Sequence, residues 1–277
     1  YKRALWLLKQ SQLDSAIADL NKAIHLMPGE PLYTFSLSDA YLLRLDSKSA
    51  LQVLDSLQLR LPDNLDLKLK KARLQLILKN YKDAMRELEF VYLLDPQNSQ
   101  AHYLAGHIFY EQGDTGRAVK SYQKAVDLNP EFVESWNQLG DIMMNLKNPL
   151  AIRYYENALR IDTNNIETMH NKAYALQLFN RKEEAILEYK KIIDKRPDFE
   201  LSYFNLGLLN LEKDSLDQAL YYLTEAIKLN PEEASNYYYR AKTYLKQGKK
   251  NQAKNDLTLA ITIFPKYIEA QKLLKEF

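Results

Sequence analysis

The segment SQAHYLAGHIFYEQGDTGRAVKSYQKAVDLNPEF, residues 99–132, reads as two helices around one turn. Counting places from Ser99 as one, the first helix is expected over about places 1–14. At about 100° per residue, places 4, 7, 8 and 11 (His102, Ala105, Gly106 and Phe109) share one stripe. Places 2, 5, 9, 12 and 13 (Gln100, Tyr103, His107, Tyr110 and Glu111) share another. The second helix is expected from about Thr115 to Leu128, with Asp114 as its cap. Pro130 stops it, because a proline has no amide hydrogen to continue the ladder. One such pair cannot bury its apolar stripe alone, so it needs neighbours of its own kind.

Such neighbours recur along the chain. Pro28, Pro62, Pro96 and Pro130 lie 34 residues apart, and Pro197, Pro231 and Pro265 repeat that step. Between Pro130 and Pro197 the distance is 67 residues, so one copy is a residue short, at the turn Lys147-Asn148-Pro149, where Asn148 reads as a cap. Alanine recurs at Ala16, Ala50, Ala84, Ala118, Ala151, Ala185, Ala219 and Ala253. A second set of small residues runs Ala4, Ser38, Ala72, Gly106, Gly140, Ala173, Gly207 and Ala241. Small residues at matched places let helix backbones approach closely, and added bulk there is expected to cost roughly 1–3 kcal/mol.

These features resemble the tetratricopeptide repeat, a helix–turn–helix unit of 34 residues, over essentially the whole chain. Residues 99–132 carry the pattern best, with Leu104, Gly106, Phe109, Gly113-Asp114, Ala118, Tyr122, Ala125 and Pro130. Residues 200–233 follow closely, with Tyr203, Leu206, Gly207, Ala219, Ala226 and Pro231. The resemblance implies an all-α fold, a right-handed superhelical solenoid of antiparallel helix pairs. The expected organisation is one array over 1–277. A partial copy at 1–30 precedes full copies at 31–64, 65–98, 99–132, 133–165, 166–199, 200–233 and 234–267. Residues 268–277, with Leu273, Leu274 and Phe277, close the stack or begin a further copy. Tyr1 already sits at place 5, as expected if a leader is removed or the sequence continues upstream.

Composition removes several classes of function. A net charge of +2 argues against a general nucleic-acid binder, and no apolar run reaches the length of a membrane span. There is no cysteine, so disulfides and thiolate metal sites are out. His102 and His107 are five residues apart, the wrong spacing for two ligands on one helical face. Glu183-Glu184 and Glu232-Glu233 fall at helix starts, where the helix dipole favours them. No catalytic residue, cofactor or metal site is expected, and the compartment is not fixed by the sequence.

In the family, first helices line a concave groove that takes a peptide or helix of a protein partner. Carried over place by place, the groove here is Phe35, Leu42, Leu69, Tyr103, His107 and Tyr110 in the early copies. Asn137, Asp141, His170, Asn171 and Tyr174 follow in the middle, and Phe204, Asn205, Leu208 and Tyr238 late. Asparagine carboxamides both donate and accept, which suits pairing with a peptide backbone. The competing reading packs the leucines between first helices. The two-carboxylate clamp by which some members grip chaperone C-termini is not expected. The window of Asn137, Asp141, Asn171, Leu201 and Asn205 supplies no cation. The expected role is a scaffold or adaptor. The alternatives are the non-catalytic arm of a larger enzyme such as a glycosyltransferase, or a subunit of a bacterial envelope assembly. The basic C-terminal end, with Lys246, Lys249, Lys250 and Lys254, would suit an acidic partner or a lipid surface if it is more than a solvated end.

Overall fold

The computed structural model describes residues 1–276; Phe277, grouped above with Leu273 and Leu274, lies outside them. Every regular element among the described residues is an α-helix. The chain forms two compact units, the first Tyr1–Ser135 and the second beginning at Trp136. The first contains α1 (Lys2–Lys9), α2 (Leu13–Leu26), α3 (Pro31–Leu43), α4 (Ser47–Gln58), α5 (Leu65–Ile77), α6 (Tyr81–Leu94), α7 (Ser99–Glu111) and α8 (Thr115–Leu128). Leading into and filling the second are α9 (Val133–Asn145), α10 (Leu150–Ile161), α11 (Ile166–Leu178), α12 (Lys182–Lys195), α13 (Glu200–Glu212), α14 (Leu216–Leu229), α15 (Ala234–Lys246), α16 (Lys250–Ile263) and α17 (Ile268–Leu274). Within each unit, odd-numbered first helices pair with the even-numbered second helices that follow them.

Local chemistry sets the helix ends. The side chains of Asn64, Asn98, Asp114 and Asn165 accept backbone N–H groups three residues on, at 2.8–3.0 Å. Each satisfies a donor the helix cannot. At the short turn, Asn148 Oδ1 accepts from Leu150 N at 3.0 Å. The turn inside each pair passes through one residue of positive φ: Ser11, Leu45, Lys79, Gly113, Lys147, Asn180, Asp214 and Gly248. Only Gly113 and Gly248 meet that conformation without a Cβ.

The pairs close on one contact repeated through the chain. A small residue of the first helix faces a large residue of the second. A Cβ on Gly106 would stand 2.7 Å from the Tyr122 ring, on Gly140 2.5 Å from Tyr155, and on Gly207 2.6 Å from Leu223. Tyr122, Tyr155 and Tyr189 are therefore fully buried rings on second helices.

A second contact, which the sequence reading did not pick out, joins charges 16 residues apart. Arg3 binds Asp19, Lys71 binds Glu87 at 2.8 Å, Lys172 reaches Glu188 at 3.4 Å, and Arg240 grips Asp256 through two bonds of 2.8 Å. Three of these cations also touch the second helix of the preceding pair. Lys71 meets Asp55 at 2.9 Å and Lys172 meets Glu156 at 3.6 Å. Arg240 donates to Thr224 Oγ1 at 3.3 Å. Each such cation pins its own pair and ties it to the one before. Burial opposes the charge on Lys71, yet the bonds to Glu87 and Asp55 raise its pKa.

Candidate functional site

The first helices carry the candidate positions, and the structure divides them into three groups. Phe35 and Leu42, on α3, pack half-buried onto the core that α4 and α5 form. Leu69 and Asn205 are each only 7% exposed, which leaves little for a visitor to touch.

The polar positions of the second unit are engaged with one another. Thr168 Oγ1 donates to Asn137 Oδ1 at 3.0 Å. Tyr155 Oη donates to Asp141 Oδ1 at 2.7 Å, and Asn171 Nδ2 lies 3.5 Å from the same oxygen. Burial raises the Asp141 pKa, the Tyr155 bond opposes that shift, and nearby Glu167 adds to it. Asn205 Nδ2 stands 3.3 Å from His170 Nε2. Burial depresses the His170 pKa and favours the neutral ring, which can accept that bond. These carboxamides thus knit first helix to first helix; Tyr174, nearly half exposed, stands clear beside them.

The remaining positions open two clefts, one within each unit. The first, of about 640 Å³, lies between α5 and α7, and its lining includes Arg73, Leu76, Tyr103, His107, Phe132 and Glu134. The Tyr103 ring packs against Phe132 at 4.7 Å and edge-on to His107 at 4.6 Å. Burial lowers the His107 pKa against the pull of Glu111 and raises that of Tyr103, which Glu134 pushes the same way. Tyr110, 37% exposed and one turn along α7, is not among the residues lining this cleft.

The second cleft, of about 580 Å³, lies among α13, α15 and α17. Leu208, Leu211 and Leu245 supply apolar walls, and Tyr238, Tyr239 and Lys242 the aromatic and cationic side. Tyr238 packs on Tyr267 at 5.0 Å, and Phe204 meets Tyr239 edge-on at 5.6 Å. Lys242 and Tyr239 are absent from the sequence-derived set. Lys242 occupies place 9 of its copy, the place of His107, Asp141 and Leu208 in theirs, so following that place to the last copy finds it. Tyr239 follows in the same way from Asn171 and Asn205, which share its place 6. Among the described residues no group of three or more potential metal ligands is present, and no helix is long and apolar enough to cross a membrane.

Helix pairs stacked through small-to-large contacts, with clefts on their first helices, define a repeat-built α-solenoid protein. Family models for tetratricopeptide repeats match residues 106–147, 170–234 and 234–267. The chain belongs to the tetratricopeptide repeat family. It is 28% identical over 151 residues to human tetratricopeptide repeat protein 6, matching 54% of this chain and 29% of that relative's length. The chain therefore spans less than a third of that relative. Among solved structures it resembles the C-terminal part of a repeat-containing protein from Cytophaga hutchinsonii, with TM-score 0.71 and 20% identity, over 86% of this chain and 98% of that one. It also resembles YrrB, described as a repeat protein with an unusual peptide-binding site, with TM-score 0.58 and 18% identity, over 68% of this chain and 97% of that one. At these identities the structural likeness establishes the fold.

Proposed function

We propose that this chain is a protein-interaction scaffold that takes a peptide or helical segment of a partner against its first helices and performs no chemistry itself. The observation that carries the reading is that each unit opens an apolar-and-aromatic cleft on first-helix residues. Aromatic side chains give large contact area at low entropic cost, which is why they dominate binding hot spots. The peptide-binding site named for YrrB, a protein of the same fold, supports the reading. The settled polar positions argue that a partner is held at the clefts rather than by the Asn137, Asn171 and Asn205 carboxamides.

The test is affinity capture from the source organism by wild type, by a Tyr103→Ala, Tyr110→Ala, Phe204→Ala variant and by Tyr221→Ala. Tyr221 is a control on a second helix, 56% exposed. Circular dichroism establishes that each variant folds; should the triple variant unfold, Ile77→Ser with Tyr174→Ala, both exposed, replaces it. A partner lost with the first-helix changes and retained by Tyr221→Ala is the expected result. A partner kept by every first-helix variant but lost with Tyr221→Ala would place the interface on the second helices and overturn the reading.

A further inference from the structure

The cleft of the second unit holds a charge for which the described residues supply no counter-ion. Lys242 is exposed, and its Nζ stands 5.5 Å and 5.3 Å from the ring centroids of Tyr238 and Tyr239. Among the described residues no carboxylate pairs with it. The other charges lining this cleft are matched: Glu212 with Lys182 at 3.1 Å, and Lys246 with Asp214 at 2.9 Å. The surroundings lean the same way. Residues 234–277 contain nine Lys or Arg against three Asp or Glu, and one of those acids, Asp256, is taken by Arg240.

We infer that this cleft binds an acidic segment of a protein partner, with an Asp or Glu carboxylate on Lys242 and an adjacent aliphatic side chain against Leu208, Leu211 and Leu245. The inference rests on the scaffold reading above and names its ligand chemistry. An ammonium resting over two aromatic faces is partly ordered before the ligand arrives, so less freedom is lost on pairing. The leucine wall adds what a lysine alone lacks, because burying an aliphatic side chain rewards a mixed acidic–apolar segment over a plain polyanion. The surplus of cations around it raises the rate of encounter with such a segment and makes it salt-dependent.

The experiment pans a random peptide display library against the folded 277-residue chain, then measures an enriched, end-blocked peptide by fluorescence anisotropy. The comparison set is wild type, Lys242→Gln, Lys242→Arg and Leu208→Ser. Expected are peptides with Asp or Glu beside Leu, Ile or Phe, bound about tenfold more weakly by Lys242→Gln and close to normally by Lys242→Arg. Leu208→Ser should also weaken them, while a poly-glutamate probe should respond to Lys242→Gln alone. Enriched peptides without acids, or acidic ones indifferent to Lys242→Gln, would overturn the inference and leave peptide binding standing. No enrichment at all, with capture of a folded partner intact, would sink both the inference and the peptide form of the scaffold reading. Sedimentation with phosphatidylserine vesicles that depends on Lys242, in place of peptide enrichment, would reassign the cation to a membrane surface.

Discussion

The clefts at Tyr103 and Tyr238 occupy matching places of their repeats and present different chemistry. In each, a ring at place 5 leans on a ring at place 34, Tyr103 on Phe132 and Tyr238 on Tyr267. The same contact recurs between His170 and Phe199 at 5.4 Å. The divergence lies at place 9. On the first helix contributed by the preceding pair it is Arg73 in one cleft and Leu208 in the other; on the cleft's own helix it is His107 and Lys242. The first cleft thus sets an arginine and a glutamate around a ring kept neutral by burial. The second sets an ammonium, unpaired among the described residues, over tyrosines beside leucine. The fold fixes where a visitor can lie, and a few places per copy decide what it is made of.

The ends of the two units differ in their charge pins as well, and this gives the largest expected effect. Asp256 is 4% exposed and holds a half-buried Arg240 of α15. Asp256→Ala strands that guanidinium and should cost about 3–5 kcal/mol in urea unfolding. Asp19→Ala removes the equivalent partner of Arg3, which lies in open solvent, and should move the midpoint far less. Equal losses from the two would show that burial does not distinguish the pins.

A smaller and pH-dependent effect is expected at Asp141. Its folded pKa is raised above 3.8, so the stability tied to its protonated form is present below that value and is lost as pH rises through the folded pKa. Asp141→Asn keeps an acceptor for Tyr155 and removes the buried charge. It should be more stable than wild type at pH 7 by about 1 kcal/mol, with the gap closing in acid. A gap that instead widens in acid would mean that the charge itself secures the Tyr155 bond.

The smallest change is expected in the turns. Leu45 has φ 62 and a side chain 92% exposed, where Gly113 and Gly248 do the same job in their copies. Leu45→Gly should raise the melting temperature slightly, by about 0.5–1 kcal/mol of stability. The same change at Ala50, a buried helical position, should lower it.

The sequence made the repeat and its small residues readable because each copy must satisfy the same backbone geometry. Gly106 and Gly140 stand out by their period, and the structure supplies the reason in the rings of Tyr122 and Tyr155. The face of each first helix was equally legible. How much of that face its neighbours fill was not. Leu69 and Tyr103 share place 5, yet one is sealed in the core and the other lines a cleft. The carboxamides at Asn137 and Asn205 look available in one dimension and find partners some 30 residues away. The charge pins repeat at a spacing of 16, a readable signal, but only in the first, third, sixth and eighth copies and with both Arg and Lys as the cation, so a search for one residue type per place passes over them.

The residue missing near Lys147 shows where the repeat accommodates a change of length. The partners Gly140 and Tyr155 are 15 apart where Gly106 and Tyr122 are 16, and the two still meet. The loss was absorbed in the connector, with Asn148 and Pro149 starting a helix of 12 residues instead of 14. A residue deleted further along, between Ala151 and Ala158, would instead rotate the rest of that helix by about 100° and unmate everything beyond it. Length variation among descendants of this sequence is therefore expected to collect at the turns, while the interiors of the helices change letters but not number.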